Sequence, residues 1–159
     1  MSFSRSLKLV AVATVFFPGF ALTQGQEQEK KIQRSDLPPS VERTVAAQSR
    51  GATIKGFSQE EENGQTYYEA EMMVGGHSKD VLIDKDGRIV EVEEQVAFDS
   101  LPAGVKDSLK NKAGHGKIVK VESLTKHDKL VAYEAKVQSN GKKSEIQVGP
   151  DGKPLDHEE

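Results

Sequence analysis

Residues 66–87 read TYYEAEMMVGGHSKDVLIDKDG, and residues 131–152 read VAYEAKVQSNGKKSEIQVGPDG. The two stretches match at Tyr68-Glu69-Ala70 and Tyr133-Glu134-Ala135, at Gly76 and Gly141, and at Asp86-Gly87 and Asp151-Gly152, each 65 positions apart. Upstream the offset is 64: Leu37-Pro38 returns as Leu101-Pro102, Val41 as Val105, Val45 as Leu109 and Ile54 as Ile118. Single coincidences carry no weight. A common order at a near-constant offset identifies a duplicated unit.

Each copy has the same local grammar. A proline near the start suits a helix, whose first N–H groups have no intrahelical acceptor. Val41 and Val45, like Val105 and Leu109, are four apart and share a helical face. Gly51 and Gly114 are the expected helix stops. Strands are expected at Thr53–Ser58, Thr66–Val74, Lys79–Asp84 and Arg88–Gln95. They are separated by turn signals at Asn63-Gly64, Gly75-Gly76 and Lys85-Asp86-Gly87, and Asn140-Gly141 plays the part of Gly75-Gly76 in the second copy. Each unit is therefore an α+β arrangement of one helix followed by four antiparallel strands. In the second copy, Lys153-Pro154-Leu155-Asp156-His157 occupies the fourth-strand position, and its proline fits only an edge. A lone unit of this size buries too little surface to be more than marginally stable. The pair is expected to associate as one extended antiparallel sheet with both helices on one side.

Alternation along the strands assigns the faces. Tyr68, Ala70, Met72, Val74, Val81 and Ile83 point one way, as do Tyr133, Ala135, Val137, Ile146 and Val148, and these sets belong against the helices. The opposite face carries Tyr67, Glu69, Glu71, Met73, Asp80, Leu82, Glu91 and Glu93 in the first copy. In the second it carries Ala132, Glu134, Lys136, Glu145 and Gln147. A solvated sheet face is ordinarily polar. Tyr67, Met73 and Leu82 are apolar groups among acids there, which marks a recognition surface. The candidate protein-binding residues are Tyr67, Glu69, Glu71, Met73, Leu82, Glu134 and Lys136. Residues 31–95 hold 8 basic and 13 acidic groups, whereas residues 96–159 hold 11 and 10. Such a face favours a basic partner patch.

The whole chain of 159 residues has a net charge of −3, which gives nucleic-acid binding no electrostatic support. It contains no Cys, so disulfides, thiolate metal sites and cysteine nucleophiles are excluded. Residues 1–25 read as a secretory signal peptide. Arg5 and Lys8 precede the apolar run Leu9–Phe17, and small residues suit cleavage after Ala21 or near Gly25. That run is too short to span a bilayer, so no stable membrane insertion is expected after cleavage. Residues 26–30 read as a flexible leader, 31–95 as the first repeat and 96–159 as the second. The location implied is periplasmic or secreted.

Chemistry is sparse. Asp84-x-Asp86-Gly87 invites a calcium or small-ligand sensor, but Leu82 stands where an oxygen-rich loop needs another ligand, and a hairpin turn explains both acids. Asp84 and Asp86 remain weak metal candidates. His77, His115, His127 and His157 have no ligand spacing. Glu60-Glu61-Glu62 is a solvated acid run or a docking patch. Neither a nucleophile elbow nor a phosphate loop is present, so neither catalysis nor a cofactor is expected. A self-associating structural protein is a further alternative.

The pattern Leu37-Pro38…Val41, Ile54…Phe57, Tyr68-x-Ala70-x-Met72 and Val81-x-Ile83…Asp86-Gly87 resembles the bacterial PepSY-like, β-lactamase-inhibitor-like family. Leu101-Pro102…Val105, Ile118…Val121, Tyr133-x-Ala135-x-Val137 and Asp151-Gly152 repeat it, so the resemblance covers nearly all of residues 31–156. It implies an exported bacterial protein of tandem helix-plus-sheet units. It also implies binding to an envelope or secreted protein, with a peptidase among the candidates, because relatives of this kind grip an enzyme on a sheet face or accompany peptidases. No contact residues transfer, since the shared positions are structural.

Overall fold

The computed structural model describes residues 29–62, 64–157 and 159. The signal-peptide reading and Asn63 of the first turn lie outside them. Two helices, α1 (Pro39–Gln48) and α2 (Ala103–Ala113), accompany eight strands. These are β1 (Lys30–Lys31), β2 (Ala52–Glu62), β3 (Gln65–Val74), β4 (His77–Asp84), β5 (Ile89–Gln95), β6 (Lys117–Lys126), β7 (Lys129–Ser139) and β8 (Lys142–Val148). They form one antiparallel sheet in which spatial order equals chain order. Lys30, read as leader, instead begins the short edge strand β1 against Gln59 of β2.

The helices form where prolines allow them to start. Pro38 and Pro102 occupy the N-cap positions, and Gly114 closes α2 with a positive φ. Val41 and Val45 pack with Phe57, Ala70, Met72, Val81 and Ile83 in one core. Val105 and Leu109 pack with Val121, Ala135 and Val148 in the other. Val92 of the first core pairs with Thr125, which shares a face with Val121, so both helices cover the same side.

The repeated Asp-Gly turns have a packing cause. Gly87 and Gly152 have φ of +87° and +82°, where an L side chain is strained. A Cβ at Gly87 would lie 2.7 Å from the Ser40 carbonyl oxygen, and one at Gly152 would lie 2.6 Å from that of Gly104. Both turns thus press against the first turn of their own unit's helix. Ser40 Oγ and Thr44 Oγ1 strengthen the first contact by donating to the Lys85 and Gly87 carbonyls.

The second unit departs at its end. The turn that launches β5, with Asp84 N–H donating to Arg88 C=O, is rebuilt as Gly149 N–H to Lys153 C=O at 2.8 Å. Pro154 then falls where Ile89 begins β5, and no fourth strand forms among the described residues. Pro lacks the N–H a ladder needs, so the unit keeps three strands.

Candidate functional site

The side of the sheet away from the helices gathers the charged residues. Since Ala70 and Met72 of β3 belong to the helix-side core, Tyr67, Glu69, Glu71 and Met73 face the other way. Strand register then sets Glu69 beside Leu82, Leu82 beside Glu91, and Asp80 beside Glu93. Across the junction of the two units, Gln95 of β5 meets Glu122 of β6, Glu122 meets Glu134 of β7, and Glu134 meets Gln147 of β8. Six strand spacings would hold β2 and β8 about 29 Å apart in a flat sheet. One cleft of about 430 Å³ nevertheless touches both, bounded by Glu60 and Glu62 at one side and Glu145 and Gln147 at the other. The sheet therefore curls around this face, with Leu82, Glu91, Glu93, Lys126 and Glu134 also lining the cleft.

Curling buries what the sequence placed in water. Tyr67, Met73 and Leu82 are each half-buried, as are Glu69, Glu71 and Lys136, and Glu134 is buried. Among the described residues, the large apolar side chains most open to solvent are Val74, which the alternation set against the helices, and Val119, and neither was a candidate. Leu124 and Ala132 pair on the charged face and are also fully buried.

At the centre stands Glu122, wholly buried. Its Oε1 accepts from Ser78 Oγ and pairs with Lys120, and its Oε2 faces Lys136 Nζ at 3.4 Å. That second contact is an ion pair without hydrogen-bond geometry, so Oε2 has no hydrogen-bond donor. Glu122, Asp80 and Glu93 have carboxylate oxygens within 4.8 Å of one another, as do Glu29, Glu69 and Glu71. Lys120 and Lys136 both pair with Glu122 of the first group.

Burial followed by the nearby Glu122, Glu134 and Glu91 pushes Glu93 up to about 8. Desolvation likewise raises Asp80, Glu69 and Glu134, opposed at Glu69 by a hydrogen bond from Ser58 and at Glu134 by one from Gln147. Burial alone would lower Lys136, but Glu122 and Glu145 outweigh it and hold its ammonium above the usual range. The face thus stores several carboxyl groups that take up negative charge reluctantly.

The tail reaches the same face. Glu159 N–H donates to Gln147 Oε1 at 2.8 Å, and its carboxylate lies 3.5 Å from Lys126 Nζ. Sequence reading did not single out Glu122, Lys126 or Glu159. A Lys-x-Glu alternation at Lys120 and Glu122, facing Lys136 on the next strand, is the signal that could have found Glu122.

The Asp84–Asp86 turn is occupied by its own chain. Asp84 Oδ1 accepts the N–H groups of Asp86 and Arg88, and Asp86 pairs with Lys85 and Arg88. The hairpin role accounts for both carboxylates.

Solved structures share the fold. A protein described as BLIP-like, from Bacteroides fragilis, aligns at a TM-score of 0.54 with 20% identity, covering 75% of this chain and 83% of its own. A protein of the DUF2874 family from Bacteroides ovatus aligns at 0.57 with 21% identity, covering 76% and 86%. One from Bacteroides eggerthii, proposed to be periplasmic, aligns at 0.60 with 20% identity, covering 75% and 86%. No family model matches the chain, and no curated protein does. The fold is BLIP-like. This α+β form places two helices behind one antiparallel sheet and leaves the other sheet face open.

Proposed function

We propose that the chain is an exported, non-enzymatic protein-binding module of two PepSY-like repeats. It engages a periplasmic or secreted protein, such as a peptidase or another hydrolase, through the curled charged face and modulates it. The observation that carries this reading is the cleft across β2 to β8, where Glu60, Glu62, Glu91, Glu93, Glu134 and Glu145 surround a single lysine, Lys126. Desolvated carboxylates gain most from a cation that enters the cleft, so a basic loop or segment is the fitting partner surface. Leu82 adds half-buried apolar contact within it, and Tyr67, paired with Glu60, and Met73 extend half-buried apolar surface along the same sheet face. A periplasmic or secreted location accords with the signal-peptide reading and with the Bacteroides neighbours.

The test is capture from envelope and secreted fractions with the immobilised chain from residue 26 onward, beside the double variant Tyr67→Ser, Met73→Ser. A hydrolase held by the wild type, lost from the variant and released by moderate salt supports the reading. Equal capture by both proteins contradicts the placement of the surface.

A further inference from the structure

The two units differ at one sheet edge. In the first, β4 lies between β3 and β5; in the second, β8 has β7 on one side and no strand on the other among the described residues. The positions that pair within the first unit show what the second lacks. Val92 of β5 opposes Val81, and Ile89 opposes Ile83. The counterparts of Val81 and Ile83 are Ile146 and Val148, and they sit beside the second core with no strand beyond them.

The chain builds the approach to a fourth strand and then abandons it. The turn at Gly149–Lys153 repeats that at Asp84–Arg88, yet Pro154 stands at the Ile89 position and His157 at the Val92 position. The tail leaves the edge and docks Glu159 on the side chain of Gln147 instead. A substitute donor serves the edge backbone: Lys112, in the last turn of α2, donates Nζ to the Gln147 carbonyl at 2.7 Å. Gln147 occupies the place of Leu82, which faces Glu91 of β5. A flexible lysine side chain thus stands where a strand's N–H would.

We propose that the edge of β8, Lys142–Val148, receives an extended segment of a partner protein as an added antiparallel strand. The main chain of such a segment supplies the ladder bonds, and its side chains supply the selection. The fitting segment carries two aliphatic residues at alternate positions, opposite Ile146 and Val148, and an acid at the end that meets Lys142 and Lys143. A second copy of β8 is a poor occupant. Antiparallel pairing centred on Glu145 would set that residue against its own copy, and edge lysines are a known defence against such pairing.

The experiment uses an acetylated, amidated peptide with this chain's own residues 88–95 and the changes Glu93→Thr, which avoids a glutamate opposite Glu145, and Gln95→Glu. It is titrated into the isotope-labelled protein from residue 26 onward. The expected result is NMR shifts and at least tenfold slower amide exchange confined to β8 and the α2 end near Lys112. Methylating the peptide nitrogen of its Glu91, whose counterpart in β5 turns toward β4 while Val90 and Val92 turn toward β6, should weaken binding at least tenfold, without touching the protein. The protein variant Pro154→Ile, His157→Val should pair its own tail in cis, protect the amides of residues 154–159 and weaken the peptide at least tenfold. Absence of binding, shifts centred on Glu91 and Glu134, or equal binding of the methylated peptide would overturn the proposal. So would dimerisation through β8 without peptide, since it would name a second copy as the occupant.

Discussion

Position 57 in the first unit and position 121 in the second share a backbone arrangement and a place in the core, and differ in side chain and surroundings. Ile32 N–H donates to Phe57 C=O at 3.0 Å, and Val96 N–H donates to Val121 C=O at 2.9 Å. Phe57 and Val121 each belong to their own core, but Val121 also lines a groove of about 570 Å³ with Val96, Phe98 and Ile118. One residue further on the contrast reverses. Ser58 and Glu122 are both fully buried on the charged face, but Ser58 makes one bond to Glu69 while Glu122 gathers Ser78, Lys120 and Lys136. Duplication has kept what the helices need and varied what the open face presents. The second unit has moved its investment from apolar filling to a buried charge at the junction.

Glu122→Ala should be the most damaging change, costing about 3–5 kcal/mol in denaturant unfolding, because two lysines lose their buried counter-charge. Ser58→Ala, at the equivalent place, should cost only about 1 kcal/mol. Similar losses at both sites would break the comparison. Gly87→Ala and Gly152→Ala should each cost about 2–4 kcal/mol, from positive φ and close backbone approach together. A large effect at one glycine alone would show that the two turn–helix contacts are not equivalent. Phe57→Val should lose about 1–3 kcal/mol as a cavity forms, whereas Val121→Phe, growing into a groove, should change stability by less than about 1 kcal/mol.

The smallest effect concerns pH. Glu93 titrates near 8 in the folded chain against an ordinary 4.5, so between those values the unfolded chain binds fewer protons than the folded one. Stability attributable to this group therefore falls as pH rises from about 4.5 to about 8, and is level outside that window. Glu93→Gln should flatten that part of the pH–stability curve and be the more stable protein at pH 9, by about 1–2 kcal/mol. An unchanged slope would mean that Glu93 is better solvated than its surroundings imply.

Much of the fold was legible because it depends on local periodicity. The alternation from Tyr68 to Met72 and the Val41–Val45 spacing placed strand, helix and buried face, whereas Val74, assigned to the same face, is exposed at the strand end, and the edge strand expected at Lys153–His157 does not form. The character of the charged face was not legible. Alternation says which side Tyr67, Met73 and Leu82 occupy, but sheet curvature decides how much water they meet. That curvature is a sum over all the strands. Nor does local pattern reveal that Glu122 lies opposite Glu134 and near Glu93, because the first approach needs the register of β6 against β7 and the second that of β5 against β6 across the two units. The return of Glu159 to Gln147 is likewise tertiary.

The most direct test of the central claim is an NMR titration of the chain from residue 26 onward with a hexalysine peptide at two salt concentrations. The account predicts shifts at Glu91, Glu93, Glu134 and Glu145, with affinity falling about tenfold between 50 and 300 mM salt as the charges are screened. Shifts on the helix side, or none at low salt, would contradict the charged face as the binding surface.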